Sequence, residues 1–167
     1  MACRGVHFAL TDEEVSKLRS FDNDSERLDW LHQEVEDRYF TEFPHFKAES
    51  DKAWDAMHRV LSNGELSYTD GSEPLRFAVM GGEPLYSGAD YIISLKTPEQ
   101  VKAVSEALSA ISQDDFQMRY DAMDAEQYGH EKSEDDFEYT WQWFLEVVSL
   151  FRAAALQGRY VLFTVDQ

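Results

Sequence analysis

A single cysteine, Cys3, stands among 167 residues, which leaves no partner for an internal disulfide and no thiolate set for zinc. That scarcity fits a reducing compartment, and the cytoplasm is the expected location. No apolar run approaches the roughly 18 residues of a membrane span, and the opening residues lack the long apolar stretch of a secretory signal. Positive charge is short too: 15 basic side chains face 33 acidic ones, a net charge of −18. A field of that sign repels a phosphate backbone, so nucleic acid is not an expected ligand, whereas a basic protein would be drawn in. Acidity also serves plain solubility or a salt-rich or high-GC host, and nine arginines against six lysines lean the same way. Familiar catalytic signatures are missing as well. There is no Gly-x-x-x-x-Gly-Lys phosphate loop, no His-Glu-x-x-His, no Gly-x-Ser-x-Gly and no Cys-x-x-Cys.

What the chain does contain is enough to build a core. It is 43% hydrophobic and 14% aromatic, too much for a disordered acidic tail. No repeat, low-complexity tract or linker divides it, so one domain over residues 1–167 is expected. Val6 to Leu10 reads as a first strand. Thr11 and Glu14 have the spacing of a capping box ahead of a short helix through Val15 and Leu18. A second helix is expected from Asp24 or Ser25, with Leu28, Leu31 and Val35 on one face, closing by Pro44. Ser50 and Asp51 can cap a third, striped by Trp54, Met57 and Leu61 and stopped at Asn63 and Gly64.

Polar, turn-rich sequence follows to Glu73, then a short helix opened by Pro74 and ended by Gly81 and Gly82. Tyr91 to Leu95 reads as the second strand. Thr97, Pro98 and Gln100 form a strong helix start, and another helix is expected from Asp114 towards Tyr128. The longest helix, Glu134 to Leu156, precedes a final strand from Tyr160 to Val165. The expected fold is α+β: a small mixed sheet of about three strands (N-terminal, central and C-terminal) packed with six or seven helices, the terminal strands side by side.

Several residue groups are candidates for chemistry. Asp22, Asn23 and Asp24 resemble the start of a calcium loop, but the required glycine is absent and Gln33 sits where the bidentate glutamate belongs. Asp29, His32 and Glu36 share one helix face, as a metal half-site or a solvated, salt-bridged surface, and no metal is expected. Asp55 stands three residues before His58, and Trp54 one turn before it. A carboxylate held there would favour the charged imidazole and allow proton transfer, while the plainer reading is a buried, hydrogen-bonded ring. Gly81 and Gly82 can admit a ligand close to the backbone or simply stop a helix. Trp141, Trp143 and Phe144 are core at helical spacing or an exposed anchor patch, with Tyr139 and Trp143 nearest the surface.

The run Asp51 to His58, with Pro74, Leu75 and Ala78 to Gly82, resembles the YfbM-like family of small bacterial proteins. Phe151, Arg152, Gly158 and the strand from Tyr160 extend the resemblance over most of the chain. It implies one α+β domain and brings no established activity. Two functions remain as expectations. One is a non-enzymatic acidic module, inhibitor- or immunity-like, that binds a basic protein. The other is a small enzyme or ligand binder with a pocket near His58, Asp55 and Trp54, with Gly81 and Gly82 beside it. Neither calls for a cofactor.

Overall fold

Both faces of the sheet carry large apolar side chains, and that decides the architecture. The computed structural model describes residues 3–167. Strands β1 (Gly5–Leu10), β2 (Lys47–Asp51), β3 (Glu83–Pro84), β4 (Tyr91–Lys96) and β5 (Tyr160–Asp166) lie in the order β2-β1-β5-β4-β3. Every neighbouring pair is antiparallel. The expected pairing of the terminal strands is present: Val6 lies opposite Thr164 and Leu10 opposite Tyr160. The expected three-stranded mixed sheet is corrected to five strands with no parallel pair among the described residues. The two extra strands are edges. β2 turns only Ala48 and Ser50 inward, and β3 spans two residues, so neither shows an apolar alternation.

Phe8, Leu10, Ile93, Leu95 and Leu162 line one face and are covered by α1 (Asp12–Ser20) and by a rod of α2 (Asp24–Trp30), a π-helical turn (Leu31–Glu36) and α3 (Asp37–Thr41). Val15, Leu18, Leu31, Val35 and Tyr39 are what these helices bury. On the other face Ala9, Ile92, Val161, Phe163 and Val165 meet α4 (Trp54–Leu61), α5 (Pro98–Ser109) and α8 (Glu134–Leu156). Side chains of this size contribute roughly 1.5–3 kcal/mol each on burial, so the layers hold through packing rather than helix propensity.

The helix starts follow their sequence signals. Thr11 with Glu14 and Thr97 with Gln100 form complete capping boxes. Ser133 caps α8, whose ends fall at the expected residues. The single helix expected from Asp114 to Tyr128 is instead α6 (Gln113–Ala122) and α7 (Ala125–Tyr128). Met123 is extended between them, and the Asp124 carboxylate accepts the amides of Glu126 and Gln127. Asp124 therefore starts a helix where apolar spacing alone would carry one through.

Ser50 and Asp51 do not cap α4. They end β2, with Asp51 in the left-handed region at φ 43° and its carboxylate accepting the Tyr139 hydroxyl of α8 at 2.5 Å. Burial first, and then Asp51, push the Tyr139 phenol up to about 12. Tyr139→Phe should cost about 1 kcal/mol. Thermal unfolding should then shift down by roughly 2–4 °C, and an unchanged midpoint would show the contact to be idle.

Candidate functional site

Helix α4 carries the expected site residues into the interior. His58 has no exposed surface, and Trp54 has 5%. His58 Nδ1 accepts the Met80 amide at 3.3 Å, and Nε2 donates to the Ser67 carbonyl at 3.0 Å, so the ring is neutral with its proton on Nε2. Burial lowers its pKa from 6.5 to about 4, the Ser67 carbonyl opposing and the charges of Lys96 and Arg59 assisting. The expected Asp55–His58 pair is replaced by Asp55 with Arg59, whose Nε donates at 2.6 Å one turn further on. Trp54 donates its indole N–H to the Cys3 carbonyl at 3.2 Å and packs against Phe163. An open pocket walled by these three side chains is thus not what the structure has there. A packed interior takes its place.

Gly81 and Gly82 belong to the same interior. A side chain at Gly81 would run into the Arg76 carbonyl, and one at Gly82, where φ is +131°, would stand 2.5 Å from the Leu95 carbonyl oxygen. Backbone fills the space beside both glycines. Residues Ala78 to Gly82 form a strap over the sheet, and three basic side chains from three elements tie it down. From β1, His7 Nε2 donates to the Ala78 carbonyl at 2.9 Å. From β4, Lys96 Nζ donates to the Val79 carbonyl and to Ser94 O and Oγ at 3.2 and 3.0 Å. Ser94 Oγ bonds the Met80 carbonyl at 2.6 Å, and His58 supplies the third basic group. Burial drives the His7 pKa from 6.5 to about 3, with Lys96 adding to the shift, and burial also takes the Lys96 ammonium well below its ordinary value. Sequence reasoning missed His7 and Lys96. No local signal marks them, because both faces of the sheet are buried and the strap that receives them comes from another part of the chain.

An open cleft lies on the other side of the sheet, under the α2–α3 rod. Leu28, His32, Glu36 and Phe40 succeed one another at four-residue steps and all line it. In a regular α-helix each such step drifts by about 40° around the axis. The π-helical turn at Leu31–Glu36 takes up that drift and keeps the row in line, while Leu31 and Val35 stay buried. Val6, Tyr91, Thr164 and Asp166 form the floor of a space of about 550 Å³. His32 Nε2 is 3.4 Å from the Tyr91 hydroxyl and 3.9 Å from Glu36 Oε1. The Tyr91 hydroxyl reaches Glu36 at 3.5 Å. Of the expected trio, the structure brings His32 and Glu36 together and leaves Asp29 exposed outside the cleft. Among the described residues no three His, Cys, Asp or Glu side chains gather as metal ligands. The Asp22–Asp24 stretch serves as a joint: Asn23 caps α2, and Asp24 accepts the amide and hydroxyl of Ser87.

Residues 1–164 match the family described as Domain of unknown function (DUF1877). The chain belongs to that family. The crystal structure of YfbM, a protein of unknown function from Escherichia coli, is similar over 97% of this chain and 99% of that one. Its TM-score is 0.66 at 20% identity, a likeness of fold. No curated protein matches the sequence. The two stretches that carry the family resemblance in the sequence touch in this DUF1877 fold, through the Met80 amide on His58. What they share is the anchoring of the strap. The aromatic stretch of α8 is mainly core: Phe144 is buried against Phe116, while Trp141 and Trp143 are half-buried and Tyr139 reaches the surface. No helix among the described residues is long and apolar enough to cross a membrane.

Proposed function

We propose that this protein is a non-enzymatic binding module that takes a basic protein partner on the end built from α6, α7 and the first turns of α8. The concentration of charge carries this reading. Between Gln113 and Glu138 there are ten carboxylates against two cations, a surplus of eight from the chain's net −18. Nine of the ten are exposed. The tenth, Asp136, is half-buried and accepts the hydroxyls of Tyr120 and Tyr128, at 2.5 and 3.1 Å, which pins the three helices together. Of the two cations, Lys132 is turned onto the Asp121 and Met123 carbonyls at the end of α6. Met118, 66% exposed on α6, adds an apolar contact amid the carboxylates. A surface of this kind speeds encounter with a positive partner and fixes its orientation.

A lysine- and arginine-rich amphipathic peptide is the probe for this end. Its binding should weaken at least tenfold between about 0.05 and 0.5 M salt. Neutralising Asp114, Asp121, Glu134 and Asp135 as Asn or Gln should weaken it by about tenfold at low salt, or roughly 1.4 kcal/mol. The same number of neutralisations at Asp12, Glu13, Glu26 and Asp29, in α1 and α2, should leave it nearly unchanged. Equal losses from the two sets, or capture indifferent to salt, would overturn the reading.

A further inference from the structure

We propose that the cleft beneath the α2–α3 rod binds a small organic cation, an ammonium group carried on a short apolar body. This site is separate from the acidic end and does not depend on it. Its walls call for two kinds of contact at once. Val6, Leu28 and Phe40 offer apolar surface to the space, and Glu36 and Asp166 line it with carboxylates. Tyr91 lines it beside Glu36, and an aromatic face attracts an ammonium ion.

The charges already present are spent elsewhere. Asp90, also at the rim, accepts the Tyr86 hydroxyl at 3.0 Å. Arg4, also at the rim, is already paired with Asp51 at 3.4 Å. The basic nitrogen nearest Glu36 is His32 Nε2, at 3.9 Å, too far for a hydrogen bond. Burial raises the Glu36 carboxyl above its ordinary 4.5, with Asp166 adding to the rise while His32 and Tyr91 oppose it. A carboxylate in that position gains from an incoming positive charge and loses from a negative one. An anionic ligand would therefore meet two carboxylates. A neutral ligand would bury Glu36 further without compensation.

The π-helical turn gives the site its shape, because only an aligned row sets Leu28 and Phe40 on either side of His32 and Glu36. Such turns inside α-helices are frequent at functional sites.

Isothermal titration of the full chain tests this with n-butylammonium chloride as the probe, n-butanol as its neutral counterpart and butyrate as its anionic one. Butylammonium should bind saturably, about tenfold or more tighter than butanol, and butyrate should give no binding heat. Glu36→Gln should weaken butylammonium by about tenfold, and Asp166→Asn, at an exposed position, by about threefold. Circular dichroism melts confirm that each variant is folded, and the Asp166 variant stands in if Glu36→Gln is not. Equal binding of butanol or butyrate, or butylammonium affinity untouched by both substitutions, would overturn the site. So would loss of butylammonium binding in the α6–α8 neutralised variant, since a general field rather than a cleft would then be at work. Glu36→Gln should leave the basic-peptide probe unaffected, which separates failure here from failure of the acidic end.

Discussion

Acidification from pH 7 to 4.5 should strip this protein of several kcal/mol of stability before most of its carboxylates titrate. The cause is the pair of buried histidines under the strap. In the unfolded chain each takes a proton near 6.5, whereas in the fold His58 resists until about 4 and His7 until about 3. Folded-state values below the unfolded ones mean that stability is complete above about 6.5 and is lost as pH falls towards those lower values. Within that window two such groups cost roughly 2.7 kcal/mol per pH unit, against a total stability of about 5–15 kcal/mol for a domain. Lys96 has the same sign, since its fully buried ammonium is also disfavoured. The net charge of −18 pushes the other way, because acid relieves its self-repulsion. That relief comes mainly below about pH 4.5, where carboxylates protonate, so the histidines win above it. Urea midpoints at pH 7, 5.5 and 4.5 measure the effect. His7 lies between the rings of Phe151 and Phe163, and His7→Phe should remove about half of the slope while giving up the bond to Ala78. A midpoint constant from pH 7 to 5 would contradict the neutral, buried assignment of both rings.

The second large effect is steric. Gly82→Ala should destabilise by about 3 kcal/mol or more, because φ +131° suits no L side chain and the new methyl would press on the Leu95 carbonyl. Leu95 is the partner of Glu83 in the β3–β4 ladder, so the edge strand and the strap above it would loosen together. The expected signature is a lower urea midpoint with amide exchange speeding first at Met80 and Leu85, whose N–H groups bond His58 and Ile93. Gly64→Ala is the comparison. That glycine has φ +96° but nothing near its missing Cβ, so it should cost only about 1 kcal/mol. If the two variants melt alike, crowding at Gly82 is not what fixes the strap.

Local grammar was readable where the backbone writes it in side-chain chemistry. The boxes at Thr11 and Thr97 and both ends of α8 follow from capping residues whose hydrogen bonds are made within four residues of chain. What depends on distant partners was not readable. Ser94 and Lys96 alternate with Ile93 and Leu95, a pattern that normally marks a half-solvated strand, yet both polar residues are fully buried because the strap supplies carbonyls from another part of the chain. His58 was visible as a special residue, and its role turned on Met80, 22 positions away. The π-helical turn left no mark, since Leu28, His32 and Glu36 keep the spacing of an ordinary helix face. Its effect appears only when Phe40 joins the row over β1 and β5. The two terminal strands, by contrast, were legible as strands from their short apolar runs, and their pairing is present as expected.

That pairing also orders events in time. β1 is an interior strand of the sheet, yet one of its two neighbours, β5, follows all four other strands in the chain. Until then β1 has only the short, polar β2 to lean on, and the His7 face has no Phe163 beside it. During synthesis the nascent chain should hold helices without a finished centre, and the sheet should close as one unit only once β5 is available.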